Sequence, residues 1–587
     1  MHFILISKKA DFQENHVNEN FLKSAYAPSI ISRESVKLEI SNFIIYIYPY
    51  DHIIPESYSY SYYVDKDNLF LCNGLVNINR KMRNQDICKL FEEVNESADL
   101  HGDYQLISID KDGNGFFKTP PLSLRQLFYY EDENCQVLAT EIKLIVDGIQ
   151  KFREKTFVHH FDIDFMEDSI FREWSTRKVP QKTIFKDIER IFPNDLIQFS
   201  AGKINIERKD SIKVPEWFKD EYNNNKEKLY NEYFEMLMEF VESNLLNIKP
   251  HIEKVTLGLT GGFDSRLTAA ILSGICKKNG IPFECHTSGQ SNHPDVVIAK
   301  KVAKVLDIPH FHHLLENNKR PNTKTYNDYI LTFYISQGDF NSKDFVPSYN
   351  RKITNPAVLA QLGMDAFKRY TMDKIYSGNR WFARRILFHK NFFFPLFYTK
   401  YETWLAIIYG ENGDEYFKEY IYEILKRSEP ELLEIPFAGD SLPQVNIKPY
   451  LTKGDTTYHE KEPFLWDYPY VRNNLKMILN RKFEEFGPKS RLFLKFLGFN
   501  ELDYFLNTKI KTIINLYREK KIGFTECVED LVRERFTNRY PKNKTLMTMS
   551  KNSDPYTTKL QILMDFAVVA DKKSFEELEK YMDLEEN

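Results

Sequence analysis

The sequence predicts an α/β protein of two domains: a strand-dominated first part, then a parallel sheet with crossover helices. Three observations predict it. Residues 1 to about 209 carry short apolar runs punctuated by turn residues, Gly261-Gly262 separates an apolar run from an amphipathic one, and the segments around those glycines alternate strand, helix, strand, helix. A chain of 587 residues is long enough for two or three domains.

In the first part, Phe43-Ile44-Ile45-Tyr46-Ile47-Tyr48, Leu69-Phe70-Leu71, Tyr104-Gln105-Leu106-Ile107-Ser108-Ile109 and Leu127-Phe128-Tyr129-Tyr130 read as strands. Asp110 to Gly115 is turn chemistry. Composition shifts to charge and asparagine between Pro215 and Lys228, so 1–209 is read as the first domain, 210–228 as a linker and 229–587 as the second domain. Leu229, Tyr233, Met236, Leu237, Phe240, Val241 and Leu245 recur at three- and four-residue steps, predicting an amphipathic helix that ends before Pro250. Val255 to Leu259 then reads as a buried strand, Asp264 to Ser273 as a helix, Pro282 to Thr287 as a strand and Asp295 to Leu306 as a helix. Past about residue 380 the pattern is aromatic-rich and mostly helical, with an amphipathic helix expected over Leu560 to Met582.

Composition excludes several function classes. With 80 Lys+Arg against 84 Asp+Glu the net charge is −4, which gives no ground for a nucleic-acid coat or an anionic membrane as main partner. Hydrophobic residues at 42% and aromatics at 15% supply core material, arguing against a largely disordered chain. Cys72, Cys88, Cys135, Cys276, Cys285 and Cys527 show no CxxC or zinc-type spacing and read as reduced thiols of a cytoplasmic protein. The opening apolar run is too short for a secretory signal, and no apolar stretch is long enough to span a membrane.

Leu259-Thr260-Gly261-Gly262-Phe263-Asp264-Ser265-Arg266 carries the most chemistry. Glycines at a strand-to-helix turn let the backbone approach a ligand, and the N–H groups of the following helix point at an anion. It is not a Walker loop, because no Gly-Lys-Ser/Thr follows. Thr260 and Ser265 offer hydroxyls, and Asp264 offers a carboxylate able to hold Mg²⁺ against a pyrophosphate, which suits cleavage of ATP between the α and β phosphates. The competing reading is a tight turn whose glycines serve geometry only.

This string resembles the Ser-Gly-Gly-x-Asp-Ser pyrophosphate loop of the asparagine synthetase family, with Thr260 for the first serine. Thr287-Ser288-Gly289, His293-Pro294-Asp295 and Ala299-x-x-Val302-Ala303-x-x-Leu306 resemble the strand and helix that follow, and Gly363-Met364-Asp365 its second acidic motif. Asn73-Gly74, Leu100-His101-Gly102-Asp103-Tyr104, Leu127 to Tyr130, Ala139 to Lys143 and Phe185 to Ile188 are similar to the family's glutaminase half. The resemblance implies an N-terminal αββα sandwich of the N-terminal-nucleophile glutaminase type and a C-terminal parallel-sheet PP-loop domain with helical additions. It further implies an adenylating amide ligase using ATP and Mg²⁺, in which a carboxylate attacks the α-phosphate and an amine displaces AMP. By family position Leu257, Leu259, Thr260, Gly261, Gly262 and Phe263 would contact the nucleotide, as would Asp264, Ser265, Ser288, Gly289 and Gly363. Asp264 and Asp365 would be the metal ligands; Asp264 and Tyr370 would serve catalysis, with Lys489, Lys495 and Lys509 as candidates for a further lysine.

The chain departs from the family in two places. The glutaminase half needs an N-terminal cysteine thiolate, whereas position 2 is His2, so the domain is expected to keep its fold and the Asn73-Gly74 turn without hydrolysing glutamine. Leu362 and Ala366 replace both glutamates of the Gly-Glu-Gly-x-Asp-Glu motif, which implies an altered acceptor pocket. The amine is then free ammonia or an amino group of the substrate itself, a small molecule or a peptide, with lactam or macrolactam closure of a precursor peptide as one form. A non-catalytic relative that binds nucleotide or a partner is the other class of reading. His310-Phe311-His312-His313 lacks a cysteine to complete a zinc site and reads as strand; His159-His160 reads as loop or interface; Arg533, Arg535 and Arg539 read as a solvated face.

Overall fold

The structure is a computed structural model that describes residues 2–23, 35–48, 60–78, 81–82, 86–95, 100–120, 125–152, 162, 183, 185–191, 195–208, 213–314, 357–360, 392–394, 400–409 and 413–437. The chain forms two compact units. One comprises Met1–Lys155, Trp174–Asn318 and Tyr334–Gly454 and holds every element below; the other comprises Thr156–Glu173, Lys319–Phe333 and Asp455–Asn587.

The elements begin with β1 (His2–Lys8), α1 (Glu19–Lys23), β2 (Val36–Ile40), β3 (Phe43–Tyr48), β4 (Tyr60–Val64), β5 (Asn68–Ile78) and β6 (Lys81–Met82). Next come α2 (Ile87–Asn95), β7 (Leu100–Asp110), β8 (Gly115–Lys118), β9 (Leu127–Glu131), β10 (Cys135–Ala139) and α3 (Ile142–Gly148). β11 (Ile188–Ile191), β12 (Leu196–Ser200) and β13 (Lys203–Glu207) complete two antiparallel sheets. Their orders are β11-β9-β10-β1-β3-β2 and β13-β12-β8-β7-β5-β4, with β6 paired to β5.

Alternation along the strands sends Phe3, Leu5, Ile45, Leu69, Leu71, Ile107 and Ile109 into one core between these sheets. The opposite faces are covered too: Phe70, Cys72 and Val76 pack with Leu90 and Val94 of α2. Gly148 of α3 approaches so closely that a Cβ there would meet Leu22 Cδ2 at 2.9 Å and Ile4 Cδ1 at 3.7 Å. β1 therefore reads as a continuous apolar run, because both of its faces are buried.

Asn73-Gly74, expected as a turn, lies inside β5; both residues are paired with β7, and Gly74 takes φ 119°. Long antiparallel pairing overrides the local turn preference of Asn-Gly, and the glycine supplies the dihedral the strand needs. The charged stretch after Pro215 is helical as α4 (Glu216–Asn224), with Phe218 and Tyr222 buried.

A parallel sheet follows. α5 (Lys226–Ile248) precedes β14 (Lys254–Gly258), α6 (Phe263–Lys278), β15 (Phe283–Ser288), α7 (Pro294–Val305), β16 (His310–His313), β17 (Ala357–Ala360) and β18 (Phe392–Phe394). α8 (Lys400–Tyr409) and α9 (Gly413–Ser428) add to it. The order is β16-β15-β14-β17-β18, and every pairing is parallel. Val255, Leu257, Leu259 and Cys285 face a core with α5, α6, α7 and α9. The protein is thus α/β, with antiparallel sheets and a parallel sheet. Among the described residues no helix is long and apolar enough to cross a membrane.

Candidate functional site

The strand order reverses at β14: β15 and β16 lie to one side, β17 and β18 to the other. In open parallel sheets such a reversal, at the carboxyl ends of the strands, is where ligands bind. Leu257 of β14 is level with Ala360 of β17, so both strands end at the same height. The 259–262 loop leaves β14 there. Gly363, Asp365 and Tyr370 follow β17 in sequence and lie outside the described residues.

Each successive main-chain donor of the loop has its own acceptor. Leu259 N–H donates to His286 O at 2.8 Å, while Thr287 Oγ1 donates to Leu259 O at 2.6 Å, pinning the loop to β15. Thr260 N–H donates to Ser265 Oγ at 3.0 Å, Gly261 N–H to Asp295 Oδ1 at 2.9 Å, and Gly262 N–H to Thr260 Oγ1 at 3.3 Å. The Thr260 and Ser265 hydroxyls lie 3.0 Å apart. Thr260 is exposed and Gly262 half-buried, so the bend is open to solvent.

Gly262 caps α6 in an extended conformation, φ −80° and ψ 177°, available to any residue. A Cβ there would meet only Thr260 Oγ1, at an ordinary 3.4 Å. Neither backbone strain nor crowding requires glycine at 262. Having no side chain, it also leaves the first-turn N–H groups of α6 without a side-chain cap, whereas His293 caps α7 by accepting from Asp295 N–H. Gly289 differs: at φ 153°, with a Cβ position 3.2 Å from Val296 Cγ2, its glycine serves the fold. Ser288 closes β15 and is exposed. Phe263 and Asp264 open α6; the Asp264 side chain is outside the described atoms.

Arg266 and Asp295, to which the sequence alone assigns no role, are both engaged by the fold. Arg266 is fully buried in the first turns of α6. Its Nη1 donates to the carbonyls of Leu432 (3.1 Å) and Ile435 (2.6 Å), and its Nη2 to that of Pro436 (2.7 Å). The guanidinium lies 3.6 Å from the Phe437 ring centroid, and Phe437 packs tilted against Phe263 with ring centroids 4.1 Å apart. Residues 432–437 are thereby fastened to the helix that carries the loop. An arginine on the same helical row as buried Ala269 and Ala270 was the available signal.

The histidines of β16 are engaged within the sheet. His310 Nε2 contacts Thr287 Oγ1 at 2.8 Å, His312 Nε2 contacts Gly289 O at 2.9 Å, and His313 stacks on His286 with 3.0 Å between ring nitrogens. Among the described residues no group of three or more His, Cys, Asp or Glu side chains is arranged to hold a metal ion.

In the antiparallel part, His2 opens β1. Its Nε2 lies 2.6 Å from Glu141 Oε1 and its Nδ1 3.3 Å from Thr140 Oγ1, and both His2 and Glu141 are sealed from solvent. Burial pushes the imidazole pKa well below its usual value and the Glu141 pKa well above. Asn73, in β5 of the other antiparallel sheet, is buried, donating to Gln105 Oε1 and accepting from Arg125 Nη1, both at 2.9 Å. The described cysteines are free thiols, and burial raises Cys276 and Cys285 to about 12.

No family model matches the sequence. A stretch of 174 residues is 29% identical to the CRISPR-associated endoribonuclease Cas13a of Leptotrichia wadei (strain F0279); it covers 29% of this chain and spans only 12% of that curated relative. Among solved structures, NMN synthetase from Francisella tularensis aligns at 14% identity and a TM-score of 0.16, over 37% of this chain and 99% of that one. The allosteric regulatory enzyme of purine biosynthesis aligns at 8% identity and a TM-score of 0.22, over 72% and 88%. Similarity at these levels establishes neither a common fold nor a common activity.

Proposed function

We propose that this chain is an ATP-dependent carbon–nitrogen ligase of the asparagine synthetase type, which activates a carboxylate with release of pyrophosphate and passes the acyl group to an amine. Gly262 carries the reading: the fold does not need a glycine there, so what it keeps clear is the approach of a ligand to the backbone. The loop's place at the strand-order reversal, beside the strand that leads to Gly363 and Asp365, supports it further.

In this reading the leaving pyrophosphate is held by the Thr260 and Ser265 hydroxyls and the first-turn N–H groups of α6, with Ser288 and Gly289 beside the nucleotide; Leu257 and Leu259, expected to contact it, have their side chains sealed in the core and back the loop from beneath. Asp264 and Asp365 are the hard donors that suit Mg²⁺, which when bound neutralises charge on the departing phosphates. Residues 1–209 are a glutaminase-like sandwich, 210–228 connect it, and 229–587 are the synthetase part. His2, buried against Thr140 and Glu141, supplies no thiolate, so ammonia or the substrate's own amino group is the nucleophile.

Isothermal titration of the full chain with ATP and Mg²⁺, followed by a pyrophosphate-release assay with aspartate plus ammonia or with candidate peptides, tests this. Binding and pyrophosphate release are expected. A chain that neither binds nor cleaves ATP refutes the ligase, and glutamate formed from glutamine contradicts the reading of His2.

A further inference from the structure

Asp295 stands in the first turn of α7, where His293 and Pro294 already serve the helix end. Its carboxylate turns to another element: Oδ1 accepts the N–H of Gly261 at 2.9 Å, from 34 residues away in sequence. Its other interactions at the helix end are with His293, whose Nδ1 accepts the Asp295 N–H at 3.3 Å and lies 3.7 Å from Oδ2. A carboxylate beside an anion site repels the ligand, so its presence there calls for a compensating role.

That role follows from the loop's hydrogen bonds. Leu259 is fixed to β15, Thr260 and Gly262 bond within the loop through Ser265 and Thr260, and Gly261 is fixed to α7 through Asp295. Resting on the proposed pyrophosphate site, we infer that Asp295 is a positioning residue: it orients the Gly261 peptide toward α7 so that the donors that follow, the first-turn N–H groups of α6, face the pyrophosphate. The acceptor oxygen performs this task, and the negative charge does not.

Mg²⁺-pyrophosphate titrated into the full chain separates these contributions. Asp295→Ala is expected to bind about tenfold more weakly, the usual scale for one lost charge-assisted hydrogen bond, whereas Asp295→Asn, which keeps the oxygen, stays within about threefold of the parent. Amide hydrogen exchange over 259–262 should quicken in Asp295→Ala and not in Asp295→Asn, with exchange over 100–110 unchanged in both. Equal loss in both variants would make the charge the operative feature and overturn the inference, as would tighter binding in both or an unaltered Asp295→Ala. A parent that binds neither Mg²⁺-pyrophosphate nor Mg²⁺-ATP refutes the ligand reading, and the exchange comparison still decides whether Asp295 braces the loop.

Discussion

Replacing Glu141 with glutamine isolates the titration of the buried pair at the head of β1. His2 Nε2 and Glu141 Oε1 are 2.6 Å apart and sealed from water. Unfolded, the two groups titrate near 6.5 and 4.5; folded, burial lowers the histidine well below the first value and raises the carboxyl well above the second. The raised Glu141 contributes stability that is full below 4.5 and is lost as pH rises toward its folded pKa. The lowered His2 contributes stability that is full above 6.5 and is lost as pH falls. Between 4.5 and 6.5 the two slopes oppose one another, and above 6.5 Glu141 alone contributes, so stability falls with pH until its folded pKa is passed, by no more than about 1.4 kcal/mol per pH unit for one proton. Unfolding by urea at pH 6, 7 and 8 is therefore expected to show the parent losing stability relative to Glu141→Gln as pH rises, by at most about 1.4 kcal/mol per unit. Parallel stability curves over the whole range from pH 6 to 8 would refute a raised Glu141 pKa in the folded state.

Substitutions at three other positions probe the site, its support and the antiparallel sheets. Gly262→Ala should leave stability within about 1 kcal/mol, since its Cβ fits and its dihedrals are ordinary, while weakening Mg²⁺-ATP binding at least tenfold by calorimetry. Arg266→Met should cost about 3 kcal/mol in denaturant unfolding, because it strips hydrogen bonds from three carbonyls in a buried setting; Arg266→Lys should recover only part of it. Gly102→Ala should destabilise by more than about 3 kcal/mol in thermal unfolding, because at φ 123° its Cβ would sit 2.2 Å from the Leu75 carbonyl oxygen.

Much of the architecture was legible locally. The strands at 43–48 and 127–130 and the helix around 229–245 were readable because their side-chain periodicity is set within each segment. The loop at 259–265 was legible for the same reason: glycines between a strand and a helix are a local signal. Asn73-Gly74 misled because its dipeptide preference is weaker than an eleven-residue pairing of β5 with β7. Residues 216–224 read by composition only as charged connecting chain; their helical form was not legible, because Phe218 packs edge-on against Tyr401 and Trp404, aromatic rings about 5 Å away that no local window contains.

By itself, then, the sequence determined several strands and helices, among them 43–48, 127–130 and 229–245, and the glycine bend between a strand and a helix at 259–262. Only tertiary structure decided that β17 lies beside β14, that Asp295 reaches Gly261, and that Arg266 grips the carbonyls at 432–436. Backbone hydrogen bonding and periodicity act over a few residues and leave a readable trace. Strand order and buried polar contacts join residues tens to hundreds of positions apart, and their energies exist only once the chain has folded.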